Sequence, residues 1–234
     1  MIILGHRGAP GKHIAENSLP AFEHAITCGA DGIEFDVRLS KDHEIIVTHD
    51  ANLKRIAGDV RKITELTSRE LSKIPLHSHG HILTLQDITS TIFDPMILDI
   101  DIKNKYVVDP LIGKLKTSAS LRERVIISSY YPKILKRFRM ELPDVKTIGL
   151  VLRWPLPLQK KWLWKQAKKL DVWSVGFPLR MYTPKRIAFI HSLGFKAAGW
   201  DRYGTKKEAE RAVKLGLDIV IVKDVDTAVR MRYC

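Results

Sequence analysis

Two histidines, two basic residues and a run of carboxylates recur in this chain at spacings that could do chemistry. His6-Arg7-Gly8 closes a short apolar run, Glu16-Asn17-Ser18 follows, Glu34 and Asp36 stand two apart, and His49-Asp50 comes next. Further on, Asp99, Asp101 and Lys103 repeat the two-residue spacing inside an apolar frame of Leu98, Ile100 and Ile102. On a strand, residues two apart share a face. Glu34 and Asp36 therefore point one way, as do Asp99, Asp101 and Lys103. Carboxylates on the inner face of a buried strand are costly unless paired or metal-bound. An all-oxygen set suits a hard divalent cation, Mg²⁺ or Ca²⁺. The plainer reading is that Lys103 pairs with one of these carboxylates, or that the strand is exposed. Two imidazoles near one site suit acid–base work close to neutral pH. Arg7 and Lys103 suit phosphate, one as a planar fork and one as a point charge. A cation, two bases and two fixed positive groups together point to a phosphodiester.

These residues need elements to hold them. Residues 2–5 read as a buried strand ending at His6. Asn17 or Ser18 caps a helix with Pro20 in its first turn and Gly29 after its end. Residues 32–39 alternate as a strand. After a four-residue turn, 44–48 form another, and so short a turn requires an antiparallel return, since a parallel one needs a crossover. Residues 50–84 read as a polar insertion, with a Thr67/Glu70 capping box. Thr84 opens a helix over 85–93. The remainder alternates strand and helix: strands at 96–102, 125–129, 147–152, 172–177, 196–200 and 217–222, and helices at 110–116 (capped by Asp109), 132–141, 158–169, 184–193 and 206–215 (opened by a Thr205/Glu208 capping box). The returning strand aside, eight strands nearly all separated by helices predict an α/β fold of the (β/α)8 barrel, or TIM barrel, type. The competing open doubly wound sheet lacks its glycine-rich phosphate loop. At 234 residues the chain fits one such barrel as a single domain spanning 1–234. Active sites of these barrels lie at the C-terminal ends of the strands, where His6, Glu34, Asp36, Asp101 and Lys103 all fall.

The composition narrows the partners. The chain has 39 Lys+Arg against 26 Asp+Glu, a net charge of +13, which favours phosphate-bearing partners or simply makes a solvated basic surface. No helix-turn-helix, zinc-finger or RNA-binding signature points to specific nucleic-acid recognition. Cys28 and Cys234 make no disulfide framework. The opening apolar run is too short for a signal core, and no run of the roughly 18 apolar residues of a membrane span occurs. The expectation is a cytoplasmic protein. Residues 153–169 carry Trp154, Trp162, Trp164 and five lysines, a mix that suits peripheral membrane contact or, more simply, packing on the barrel. Trp200 ends a strand and is a candidate pocket wall. His77, His79 and His81 alternate in a polar loop, and Ser128-Ser129 lacks the glycines of a nucleophile elbow.

The ordered set resembles the glycerophosphodiester phosphodiesterase family. The likeness covers nearly the whole chain and is densest over residues 4–58, where Leu53, Arg55 and Gly58 also fit. It returns at Asp101-Ile102-Lys103, where the family usually has Glu-x-Lys, and more weakly at Ser128-Ser129 and Gly199-Trp200. The resemblance implies a barrel with a small insertion after the hairpin, and hydrolysis of glycerophosphodiesters to sn-glycerol 3-phosphate and an alcohol with Mg²⁺ or Ca²⁺. It makes His6 and His49 the acid and base. Glu34, Asp36 and Asp101 become the metal ligands, Arg7 and Lys103 the phosphate contacts, and Glu16 part of the lining. Asp101 replaces the usual Glu, Asp201-Arg202 follows Trp200 where Thr-Val-Asn is usual, and Val222-Lys223-Asp224 departs near the end. Within the family the alternative substrate is a lysophospholipid, cleaved as by a phospholipase D. Outside it, the alternative is a non-catalytic phosphate-binding barrel.

Overall fold

Alternation of apolar and polar residues decides the architecture. A computed structural model describes residues 1–89, 95–155 and 157–233, with 157–162 as backbone only. In chain order the elements are β1 (Ile2–His6), α1 (Leu19–Thr27), β2 (Gly32–Leu39), β3 (Ile45–Val47), β4 (Asn52–Leu53), α2 (Lys54–Ala57), β5 (Asp59–Lys62), α3 (Ser68–Leu71), β6 (Leu83–Thr84), α4 (Leu85–Ile88) and β7 (Ile97–Ile102). Then follow α5 (Val108–Thr117), α6 (Ala119–Arg124), β8 (Val125–Ser129), α7 (Pro132–Glu141), β9 (Lys146–Leu150), α8 (Pro157–Leu170), β10 (Ser174–Pro178), α9 (Pro184–Ser192), β11 (Lys196–Trp200), α10 (Lys206–Lys214), β12 (Ile219–Val222) and α11 (Val225–Arg232).

Eight strands pair in parallel in the order β1-β12-β11-β10-β9-β8-β7-β2, and a β1–β2 pairing closes the ring. This is the expected (β/α)8 barrel. Ile33, Phe35, Val37, Leu98, Ile100 and Ile102 point outward into the main core under the helices. The inward residues Leu4, Ile126, Ile148, Ala198, Ile219 and Ile221 form a separate plug inside the barrel. Above that plug, on one arc only, the inward positions are Glu34, Asp36, Asp99 and Asp101. Their rows are fixed by register: His6 lies beside Glu34, Glu34 beside Asp99, and Asp36 beside Asp101.

The return strand is antiparallel as expected: β3 pairs with β2, with Val37 opposite Val47. Thr48 N–H donates to the Asp36 carbonyl (2.9 Å), so the pairing runs on to the residue before His49. β6 pairs with the outer side of β3. Between them, Ile46, Leu53, Ile63, Leu66, Leu71 and Ile82 bury one another in a cluster of their own.

Of the two cap candidates for α1, Ser18 is the one used. Several boundaries differ from expectation. Asp109 does not cap α5: that helix starts at Val108, straight off a one-turn 3₁₀ segment capped by Asn104, and Asp109 sits inside its first turn. α4 ends at Ile88, and the part of the expected helix over 90–93 lies outside the described residues. The short helices α2 and α6 and the terminal α11 were not foreseen. The capping boxes at Thr67/Glu70 and Thr205/Glu208 are both formed. Among the described residues, no helix is long and apolar enough to cross a membrane.

Candidate active site

The site begins in the turn after β1. Arg7 and Gly8 are both left-handed (φ 57° and 82°). A Cβ on Gly8 would lie 2.6 Å from the Ala21 carbonyl carbon, so α1 packs where only glycine fits. The turn aims Arg7 N–H at Glu34 Oε2 (2.9 Å), and the Arg7 carbonyl accepts from Asn17 N–H (3.0 Å). Asn17, itself left-handed at φ 55°, sends its side-chain amide to Asp36 Oδ2 (2.9 Å). Asn tolerates this conformation better than most residues. Gly8→Ala is therefore expected to lower stability by about 1–3 kcal/mol through the strained φ and the clash, and to depress activity by moving His6 and Arg7. The denaturant midpoint and kcat should fall together.

Glu34, Asp36 and Asp101 each offer an oxygen within 4.8 Å of the others, and all three are buried. Lys103 Nζ lies between Asp101 Oδ2 (2.5 Å) and Asp36 Oδ1 (2.8 Å), and Arg7 Nε is 3.2 Å from Asp36 Oδ2. The carboxylates respond differently. Burial alone would raise Asp36, but Lys103 and Arg7 outweigh it and hold that carboxyl well below the usual range. Burial, only partly offset by Lys103, pushes Asp101 up to about 6. Glu34 is raised by burial and by the charges of Asp36 and Asp101. Asp99, 2.5 Å from the Ser128 hydroxyl that donates to it, is pushed up by burial to about 8. Asp101 Oδ1 and Asp99 Oδ2 are buried without a hydrogen-bond partner among the described residues. Crowded, under-neutralised oxygens of this kind fit a hard divalent ion, so the residues present suit the cation that the sequence implied.

Each histidine is held through Nδ1 by a carboxylate. His6 Nδ1 is 2.5 Å from Asp201 Oδ1, and the other oxygen of Asp201 accepts from Lys223 N–H (2.8 Å). His49 Nδ1 is 2.7 Å from Asp50 Oδ1, and the His49 carbonyl accepts from Arg38 Nε (2.8 Å). Arg55 links Asp50 to Glu16 (2.6 Å to each), and Glu16 accepts from Arg7 Nη1 (2.8 Å). Burial draws His49 below the ordinary imidazole range, against the opposing charge of Asp36.

One cavity of about 890 Å³ at the carboxyl end of the barrel is lined by His6, Arg7, Glu16, Glu34, Asp36, His49, Asp101, Lys103 and Trp200. Every residue singled out for the site thus meets in one place. Sequence reasoning missed Asp201 as the partner of His6, and Tyr130, whose ring meets Trp200 edge-on at 6.0 Å and lies 5.7 Å from Lys103 Nζ. It also left Asp99 without a place. His77, His79 and His81 lie in a different hollow with Lys12 and His13. Trp164 is buried among Phe177, Phe189 and Phe195, and Trp154 lies 5.1 Å from Phe177. These two rings pack on the barrel; the side chain of Trp162 lies outside the described residues.

A closed parallel barrel whose carboxyl rim gathers acidic, basic and imidazole side chains around one cavity defines a barrel enzyme of the phosphoric diester hydrolase class. The chain belongs to the glycerophosphoryl diester phosphodiesterase family, whose sequence model matches residues 6–227. It is 29% identical to a glycerophosphodiester phosphodiesterase of Caldanaerobacter subterraneus subsp. tengcongensis, over 98% of this chain and 97% of that protein. The crystal structure of a glycerophosphodiester phosphodiesterase from Thermotoga maritima is similar to it at a TM-score of 0.81 and 28% identity, covering 99% of this chain and 98% of that one. A lysophospholipase D of Rattus norvegicus is 43% identical, but over 68 residues only, 29% of this chain and 21% of that protein.

Proposed function

We propose that the chain, acting as one barrel domain with its insertion at about 50–84, hydrolyses small glycerophosphodiesters to sn-glycerol 3-phosphate and an alcohol. The observation that carries this is the gathering of His6 and His49 around one cavity with three carboxylates and two fixed cations. In this reading Glu34, Asp36 and Asp101 hold Mg²⁺ or Ca²⁺. When bound, the cation supplies Lewis-acid polarisation of a phosphoryl oxygen. Arg7 and Lys103 receive the phosphate charge and release part of their hold on Asp36 and Asp101 as they do so. Glu16 keeps Arg7 oriented, and Trp200 forms the wall against which the carbon skeleton lies. His49, neutral at pH 7 because burial lowers its pKa, takes the proton of the attacking water. A new O–P bond forms, the P–O bond to the alcohol breaks, and His6 in its protonated form gives the leaving oxygen its proton. Asp201 and Asp50 fix the two rings through Nδ1. A cytoplasmic setting suits the free thiol of Cys28.

Cleavage of lysophospholipids is the second reading, supported by the 68-residue likeness. The test is a substrate panel with purified protein and Mg²⁺, Ca²⁺ or Mn²⁺, following release of glycerol 3-phosphate. Metal-dependent turnover of glycerophosphodiesters, abolished by chelator, is the expected result. No turnover, or turnover that ignores chelator, would overturn the proposal; a clear preference for lysophosphatidylcholine would favour the second reading.

A further inference from the structure

The cavity has two unlike halves. The acidic and catalytic groups come from β1, β2 and β7 and from the return strand. The barrel order places β9, β10, β11 and β12 on the opposite arc. Each of these four strands is followed by a basic residue that lines the same cavity: Arg153, Arg180, Arg202 and Lys223. The three arginines are exposed and Lys223 is half-buried. Among the described residues, none of the four side chains forms an ion pair with a carboxylate; Arg202 and Lys223 meet Glu208 and Asp201 only through their backbone N–H groups. The Arg202 guanidinium lies 5.3 Å over the ring of Tyr203. At the ends of these same four strands the cavity lining is apolar, with Leu150, Pro178, Trp200 and Ile221. Among the described residues lining the cavity, the acid on this arc is Asp201, 1% exposed, with both oxygens already taken by His6 and Lys223 N–H; outside the lining, Glu208 accepts from the backbone N–H groups of Arg202 and Tyr203.

A phosphodiester at the acidic half projects one of its two substituents along this apolar lining into this arc. Glycerol is small and neutral and leaves four unpaired cations facing water. A cationic alcohol such as choline would meet four like charges and no counter-charge, which is repulsive by several contacts at once. An alcohol bearing its own anion would meet arginine forks suited to oxyanions. We infer that Arg153, Arg180, Arg202 and Lys223 form a subsite for a negatively charged leaving alcohol, a phosphomonoester or a carboxylate, so that the preferred substrates are glycerophosphodiesters of anionic alcohols. The inference rests on the phosphodiesterase reading and deepens it.

The experiment compares kcat/KM for glycerophosphocholine, glycerophosphoglycerol, and the latter diester carrying a phosphomonoester or a carboxylate on the leaving alcohol. The anionic substrates should be preferred over the neutral one by roughly tenfold or more at low salt, with the preference shrinking as salt rises. The double variant Arg153→Gln/Arg180→Gln should cut the anionic-to-neutral ratio by about tenfold. The pair Lys168→Gln/Lys169→Gln removes the same charge from exposed positions on α8 outside the cavity, and should leave the ratio as it was. The two anionic arms tell which oxyanion the subsite favours. A flat profile across the alcohols, or equal effects of the two double variants, would overturn the subsite while leaving the hydrolase reading intact. Turnover of none of these diesters would instead overturn the hydrolase reading and the subsite with it.

Discussion

His6→Ala and His49→Ala are each expected to lower kcat by about 10²–10⁴-fold, the range for loss of a positioned acid or base. The two variants should differ in stability. His6 is 9% exposed and gives its Nδ1 to Asp201, itself 1% exposed. Removing that ring strips Asp201 Oδ1 of its partner, at about 1–3 kcal/mol for a buried group left unsatisfied. His49 is more open and its partner Asp50 keeps Arg55, so His49→Ala should melt close to the parent. The pH–rate curve should be bell-shaped. Its acid limb should fall below the ordinary imidazole range, because His49 is depressed by burial and activity is lost as pH drops and the base becomes protonated. Near-parental turnover in either variant would remove that residue from the reaction. Measured at saturating metal, an acid limb that persists unchanged in His49→Ala would reassign the base.

Asp101→Asn is expected to lose most metal-dependent activity, by more than the ~10–100-fold typical of losing an outer partner of a metal ligand. The substitution keeps the shape, removes one charge from the oxygen cluster, and leaves Lys103 with Asp36 alone. Asp101→Glu adds a methylene and should keep activity while changing the Mg²⁺/Ca²⁺ preference, since Mg²⁺ demands tighter geometry and keeps more of its waters. In the parent, burial raises Asp101 to about 6. Below that pH the proton competes with the ion, so metal affinity should fall as pH drops through about 6 and level off above it. The same linkage runs through stability. Without metal, a carboxyl whose folded pKa is raised favours folding when protonated, and that contribution is lost as pH rises through its folded value. Added metal reverses this, so the rise in Tm on adding metal should be larger at pH 8 than at pH 5.5. Titration of activity and Tm against metal concentration for the parent and both variants checks all of this. If Asp101→Asn titrates like the parent, these carboxylates serve only as partners of Lys103 and Arg7.

The legible part of this protein is whatever local period and local sterics dictate. Glu34-x-Asp36 and Asp99-x-Asp101-x-Lys103 announce their shared face because a strand repeats every two residues, and an apolar frame marks the strand as buried. The four-residue turn before Glu44 forces the antiparallel return that carries His49. Thr205 and Glu208 reveal a helix start because a capping box is read within four residues. Partnerships across the barrel leave no such trace. Asp201 holds His6 across 195 positions, and nothing near either residue signals the other; Tyr130 meets Trp200 only because the ring closes. Even local signals mislead when two compete. Asp109 has the chemistry of a cap, but the turn that Asn104 initiates had already started the helix before it. α11 went unread because Asp224 caps a sequence with two arginines in its last turn and few buried residues.

The return strand β3 lies along a seam. Ile45 and Val47 belong to the main core, whereas Ile46 joins the separate cluster of Leu53, Ile63, Leu66, Leu71 and Ile82. His49 follows this strand, while His6 ends a strand of the barrel itself. The two imidazoles therefore follow elements packed in part against different clusters, and the region carrying His49 is expected to open more easily than the barrel. A partial opening that frees the smaller cluster would withdraw one imidazole and leave the closed ring standing, and amide hydrogen exchange would report it as a cooperative unit of lower free energy than the barrel. Heat would then silence the enzyme reversibly some degrees before the barrel melts. Substitutions at Leu53 or Ile63, which belong to the smaller cluster and do not line the cavity, would move that temperature.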